Sequence, residues 1–132
     1  MIPKLTASFD FHSQALSLRA ERQRIIASNI ANADTPGYQA RDFDFAAALR
    51  VATGSGGNGE GIASSVMSRT GRPTPELRYA QPAQTNLDSN TVDMDRERAA
   101  FMENAVKYES TLRFINGNVR TMLDAMKSHN QA

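Results

Sequence analysis

The sequence predicts a mainly α-helical chain, with long N- and C-terminal helices pairing as a coiled-coil hairpin. Between them it predicts an irregular, partly disordered middle segment with at most short strands. Two observations carry this expectation. Seven of the eight Gly lie between Gly37 and Gly71, and four of the five Pro between Pro36 and Pro82, so both ends are nearly free of helix breakers. From Phe101 onward, Phe101, Ala105, Tyr108, Leu112, Ile115, Val119, Met122 and Met126 recur at alternating steps of four and three, the heptad spacing of a helical seam.

The first helix is placed from about Thr6 to Ala33, with Phe9, Leu16, Ile26 and Ile30 on heptad-compatible positions. Arg19 and Gln23 interrupt that stripe, so its pairing face is less apolar than that of its partner. Asp34-Thr35-Pro36-Gly37-Tyr38 then reads as a tight turn: Pro fixes φ at the first central position and Gly supplies φ > 0 at the second. Asp44-Phe45-Ala46-Ala47-Ala48-Leu49 is a short amphipathic segment, and residues 52–61, ATGSGGNGEG, are too poor in side chains to pack and are expected to form a flexible loop. Leu77 to Ala80 is the best short strand. The C-terminal helix is placed at about residues 92 to 127, with Asp93 and Asp95 in the first turn and Lys127 in the last, as the helix dipole favours. Glu103 with Lys107 and Glu109 with Arg113 are i,i+4 pairs that solvate its outer face. The expected division is residues 1–33 plus 86–132 as a coiled-coil domain, 34–51 as turn and amphipathic segment, and 52–85 as a variable linker.

Composition narrows the function. A length of 132 residues suits one core, not two. With 15 Lys plus Arg against 14 Asp plus Glu there is no overall field to hold nucleic acid or an anionic membrane. Zero Cys rules out disulfides and thiolate chemistry and leaves the compartment open. MIPKLTASFDFHSQAL contains Asp10 and His12 where a secretory signal needs an apolar run, and no stretch is long enough to insert in a membrane.

Candidate sites mostly resolve into structural features. Asp88, Asn90, Asp93, Asp95 and Glu97 form a carboxylate-rich cluster, but a Ca²⁺ loop starting at Asp88 would need an oxygen ligand where Val92 stands and Gly where Asp93 stands. Helix-start chemistry accounts for the cluster better. GSGGNG lacks the Lys-Ser/Thr of a phosphate loop, and His12 and His129 have no second member for a metal site or a catalytic relay. Arg19, Arg22 and Arg24 are interrupted by Glu21 and read as a solvated face or a subunit contact. No catalytic residue, metal or cofactor is expected.

Ala27-Ser28-Asn29-Ile30-Ala31-Asn32-Ala33-Asp34-Thr35-Pro36-Gly37-Tyr38-Gln39-Ala40-Arg41-Asp42 resembles the N-terminal signature of the flagellar axial proteins, the rod, hook and hook-associated subunits. Physically, Asn29 and Asn32 can bond backbone groups that an ending helix leaves unpaired, and Tyr38 offers a ring with a polar tip. Asn90-Thr91-Val92-Asp93-Met94-Asp95, followed by Glu103-Asn104-Ala105 and Tyr108, is similar to the short members that build the proximal rod. Gln39, where Lys is common in that family, is a small departure. The resemblance implies a structural subunit that assembles helically through its terminal helices into the torque-transmitting shaft of the basal body. Its implied partners are copies of itself, other rod proteins, the basal-body adaptor at the MS ring, and the flagellar type III export gate. The gate would carry it to the periplasm without a cleaved signal. Such export substrates carry a Phe followed four residues later by an apolar residue, and Phe45 with Leu49 fits; plain packing of an amphipathic turn fits equally. The alternatives are the other short proximal rod protein, a free-standing helical-hairpin adaptor that would form a discrete dimer, and an enzyme with its site in the middle segment.

Overall fold

A computed structural model describes residues 2–54, 75, 77–80, 87 and 89–130. Helix α1 spans Ile2–Ala31, strand β1 Arg41–Asp42, helix α2 Phe45–Ala52, strand β2 Arg78–Tyr79, and helix α3 Met94–His129. The chain is mainly helical, and the two long terminal helices pack together as an antiparallel hairpin. The strand expected within Leu77 to Ala80 is Arg78–Tyr79, paired antiparallel with β1 in the register Arg41 with Tyr79 and Asp42 with Arg78. Most of the Gly-rich linker expected over residues 52–85 lies outside the described residues.

Helices α2 and α3 begin where the sequence supplies an Asp cap. Asp44 starts α2 by accepting from the Ala47 N–H at 3.1 Å, and Thr53 closes it by donating from its own N–H to the Leu49 carbonyl at 2.9 Å. Asp93 starts α3, its carboxylate accepting from the Asp95 and Arg96 N–H groups at 3.1 and 3.2 Å. The carboxylate-rich segment read from the sequence as helix-start chemistry thus supplies a cap. After α1, the Asn32 side-chain amide donates at 2.8 Å to the Ser28 carbonyl, which also accepts the Asn32 N–H at 3.1 Å, so one residue grips the last turn twice. Pro36 and Gly37 then occupy the centre of a turn closed by the Tyr38 N–H on the Thr35 carbonyl at 3.2 Å, with Gly37 at φ +72°. Only a residue without Cβ takes that φ without strain.

The core is small and one-sided. Leu18 and Ile25 of α1 meet Phe43 and Ala48, with Phe45, Leu49 and Ala52 packed alongside. Leu18 is fully buried. α3 contributes nothing to this cluster, because its buried residues are Asn104 and Thr111. Mid-length, α1 therefore serves two neighbours: Leu18 and Ile25 go to α2 and the segment before it, and Arg19 and Gln23 go to α3. This sets the rotation of both long helices. The buried positions of α1 are Ala15, Leu18, Ile25, Ile26 and Asn29, whereas Leu16 and Ile30 are half-buried and Phe9 is exposed. The face turned inward lies one residue away from most of the stripe read from the sequence.

Candidate functional site, an outward apolar stripe on a polar seam

The middle of the contact between α1 and α3 is built from polar groups, with apolar side chains of both helices meeting towards its two ends. The Asn104 side-chain amide donates to the Arg19 carbonyl at 2.9 Å and to Gln23 Oε1 at 2.7 Å. Arg19 Nε donates to Thr111 Oγ1 at 3.2 Å, and its guanidinium lies 4.3 Å from the centre of the Phe45 ring, tying α2 into the same seam. Burial and the neighbouring Arg22 cation bring the Arg19 guanidinium below its usual value, while Glu103 opposes them. Arg19 and Gln23, which interrupt the apolar stripe of the first helix, are thus the residues that α3 reads.

Because Asn104 and Thr111 occupy the middle of the seam, the apolar stripe lies at its edge, partly open to solvent. Phe101, Tyr108, Leu112 and Val119 are each 37% to 39% exposed and Met126 is 64% exposed. Ala105 is also exposed, while Ile115 and Met122, the two stripe members nearest the seam, are half-buried. Towards the open end of the hairpin, Leu5 and Phe9 of α1 line an apolar groove of about 320 Å³ with Val119, Met122, Leu123 and Met126. Towards the closed end, Ala27, Ile30 and Ala31 line another of about 440 Å³ with Phe101 and Met102. Between them His12, half-buried, stacks on Phe114 with ring centres 6.0 Å apart. Large apolar side chains exposed contiguously mark a surface that associates with another.

The closed end is fastened by two buried asparagines. Asn29 accepts from the Tyr38 hydroxyl at 3.1 Å and the Arg41 N–H at 3.0 Å, and donates to the Arg41 carbonyl at 2.8 Å. Asn90 donates to the carbonyls of Asn32, Ala33 and Thr35 at 3.0, 2.7 and 2.8 Å, and its Oδ1 accepts from the Val92 N–H at 2.9 Å. Thr35 donates to Asn32 Oδ1 at 3.2 Å, and the Thr91 hydroxyl accepts from the Ala40 N–H at 2.9 Å. The motif residues Asn29, Asn32, Thr35, Pro36, Gly37 and Tyr38 therefore come together in one knot. Asn90 is its second centre, which sequence reasoning missed by grouping it with the carboxylates. The signal was its place at the head of the Asn90–Asp95 run. Phe45 and Leu49 share one face of α2, both half-buried against the core.

A family model described as flagella basal body rod protein matches residues 9–39, the second part of α1 with the turn that follows. The chain is 44% identical over 138 residues to the flagellar basal body rod protein FlgB of Escherichia coli K12, covering 98% of this chain and 100% of the relative. It is 45% identical to FlgB of Proteus mirabilis HI4320, covering 96% and 98%. Against FlgB of Salmonella typhimurium LT2 it is 41% identical, covering 98% and 100%. The chain belongs to the FlgB family of flagellar basal body rod proteins. FlgB proteins are structural, and membership places this chain in the flagellar basal body, assembling with other rod components. Among the described residues no helix is long and apolar enough to cross a membrane.

Glu97 gives a first prediction. It sits half-buried beside the knot, where burial raises its carboxyl above the usual range against a hydrogen bond from Asn29, with Asp42 adding to the rise. A raised carboxyl holds its proton more tightly folded than unfolded, so stability falls as pH climbs from the usual Glu range through the raised value. Glu97→Gln should therefore gain a little stability at neutral pH, under about 1 kcal/mol after solvent screening. That gain should vanish in acid below the usual carboxylate range, which urea unfolding at two pH values checks.

Proposed function

We propose that this chain is a subunit of the proximal rod that builds the shaft by packing its outward stripe against copies of itself and against other rod proteins. The observation that supports the reading is the displacement of Phe101, Tyr108, Leu112 and Val119 from the seam that pairs α1 with α3. A helix pair that places two polar residues in its seam and leaves large apolar side chains partly open to solvent is built for association. Such a surface offers area for packing, not convergent reactive groups, and it favours a structural over a catalytic role. The partners in this reading include the adaptor at the MS ring below the rod and the flagellar type III export gate, through which the chain reaches the periplasm. Gold-labelled antibody against the chain on purified basal bodies tests the assignment: label at the base of the rod supports it, and label elsewhere or none rejects it.

The export step makes its own prediction at Phe45. In the folded chain Phe45 packs on the core and carries the Arg19 guanidinium over its ring. If the gate reads Phe45 and Leu49 in an unfolded segment, Phe45→Ala holds the protein in the cytoplasm, where it is made at normal level. If Phe45 serves only packing, the half-filled site costs about 2 kcal/mol of fold stability and export stays normal. Blotting cytoplasm and periplasm of a strain arrested before rod completion separates the two, and we expect cytoplasmic retention.

A further inference from the structure

Asn104 is 3% exposed, yet its Oδ1 accepts no hydrogen bond. An apolar seam would avoid that cost, and α3 carries one close by: at 3.6 residues per turn, Phe101 and Val119 lie about 60° around the helix from Asn104. Turning α3 by that angle would bring its apolar stripe onto α1 and release Asn104 to water. What opposes the turn is on α1. Arg19 and Gln23 would then face apolar side chains with no partner for the groups that now meet Thr111 and Asn104.

The geometry points to a rotational lock, in which Arg19 and Gln23 act as positioning residues that read Asn104 and Thr111 and keep the apolar stripe of α3 partly open to solvent instead of fully buried on α1. The lock sacrifices some stability of the single chain and keeps the stripe available to neighbouring subunits. A polar residue at a buried seam position that sets register at a cost in stability is a general device of paired helices. The inference rests on the reading that the stripe is the assembly surface, and it adds which residues keep it presented.

The test is the pair Arg19→Leu with Gln23→Leu, which makes the α1 face apolar. The chain has no Cys, so a thiol placed by Leu112→Cys is its sole reactive thiol. In the soluble full-length protein, maleimide should label that thiol about tenfold more slowly in the Leu pair than in the parent, because the stripe has turned inward and buried it. The Leu pair should also unfold at higher urea and fail to complete rods, a loss of function without loss of stability. A Leu112 thiol that labels equally fast in both backgrounds overturns the lock, as does a Leu pair that swims normally. A Leu18→Cys thiol, buried in the parent, that labels as fast as an exposed one overturns it too, since no hairpin is then held. Failure of the assembly reading itself shows elsewhere, as normal swimming of an otherwise parental chain carrying Leu112→Asp.

Discussion

Leu112→Asp is expected to abolish rod assembly while leaving the subunit made, folded and exported. In the single chain Leu112 is 39% exposed, so a carboxylate there keeps its water and the hairpin loses little. In the assembly we propose, the same position is covered by a neighbour, and an unpaired carboxylate in an apolar contact costs roughly 4 kcal/mol. Each 1.4 kcal/mol is tenfold, so each contact weakens by about a thousandfold. An exposed i,i+4 pair such as Arg113 with Glu109 returns only about 0.5 kcal/mol and cannot compensate. Non-motile cells with the protein in the periplasm and no rods in electron micrographs are the expected result. Ile115, half-buried nearer α1, should behave differently: Ile115→Asp damages the hairpin as well, so the protein should also be less stable in solution.

The second large effect is at Asn90. Its single amide reaches three carbonyls of the turn after α1 while its Oδ1 holds the Val92 N–H, so it fastens the end of one long helix to the approach of the other. Asn90→Ala removes all of these, taking the partner from the buried Val92 N–H and from the half-buried Ala33 carbonyl. The cost should be about 2 to 4 kcal/mol, within the range for breaking a buried network. Asn90→Asp should be worse than Asn90→Ala, although it is the closer isostere, because it keeps the bond to Val92 but sets a carboxylate against three carbonyl oxygens. Urea unfolding followed by circular dichroism gives the order. If Asn90→Asp is the milder of the two, the amide is not what binds those carbonyls.

The helices were legible because Gly and Pro avoid both ends of the chain, and the stripe was legible because eight positions keep heptad spacing. Its direction was not. Periodicity shows that apolar residues share a face; it does not say which of two adjacent faces meets the partner within the same chain. That choice came from Arg19 and Gln23, whose value depends on Asn104 and Thr111 some eighty to ninety residues away. The core of Leu18, Ile25, Phe43 and Ala48 was hidden for a related reason, since it joins α1 to a short helix beyond the turn and follows no single period. The knot around Asn29 was partly legible, because helix-ending asparagines before Thr-Pro-Gly-Tyr have local uses. Asn90 lies 55 residues or more from the carbonyls it holds.

The central claim, that the outward stripe is covered by neighbouring subunits in the rod, is tested most directly by thiol accessibility at its most exposed member. Met126→Cys places a unique thiol in a Cys-free chain at a position 64% exposed in the single subunit. Cells carrying this variant would yield both soluble subunit and isolated basal bodies, each treated with the same maleimide, with the parent chain as background. The account predicts rapid labelling in the soluble subunit and strong protection in the basal body, and equal labelling in the two would contradict it.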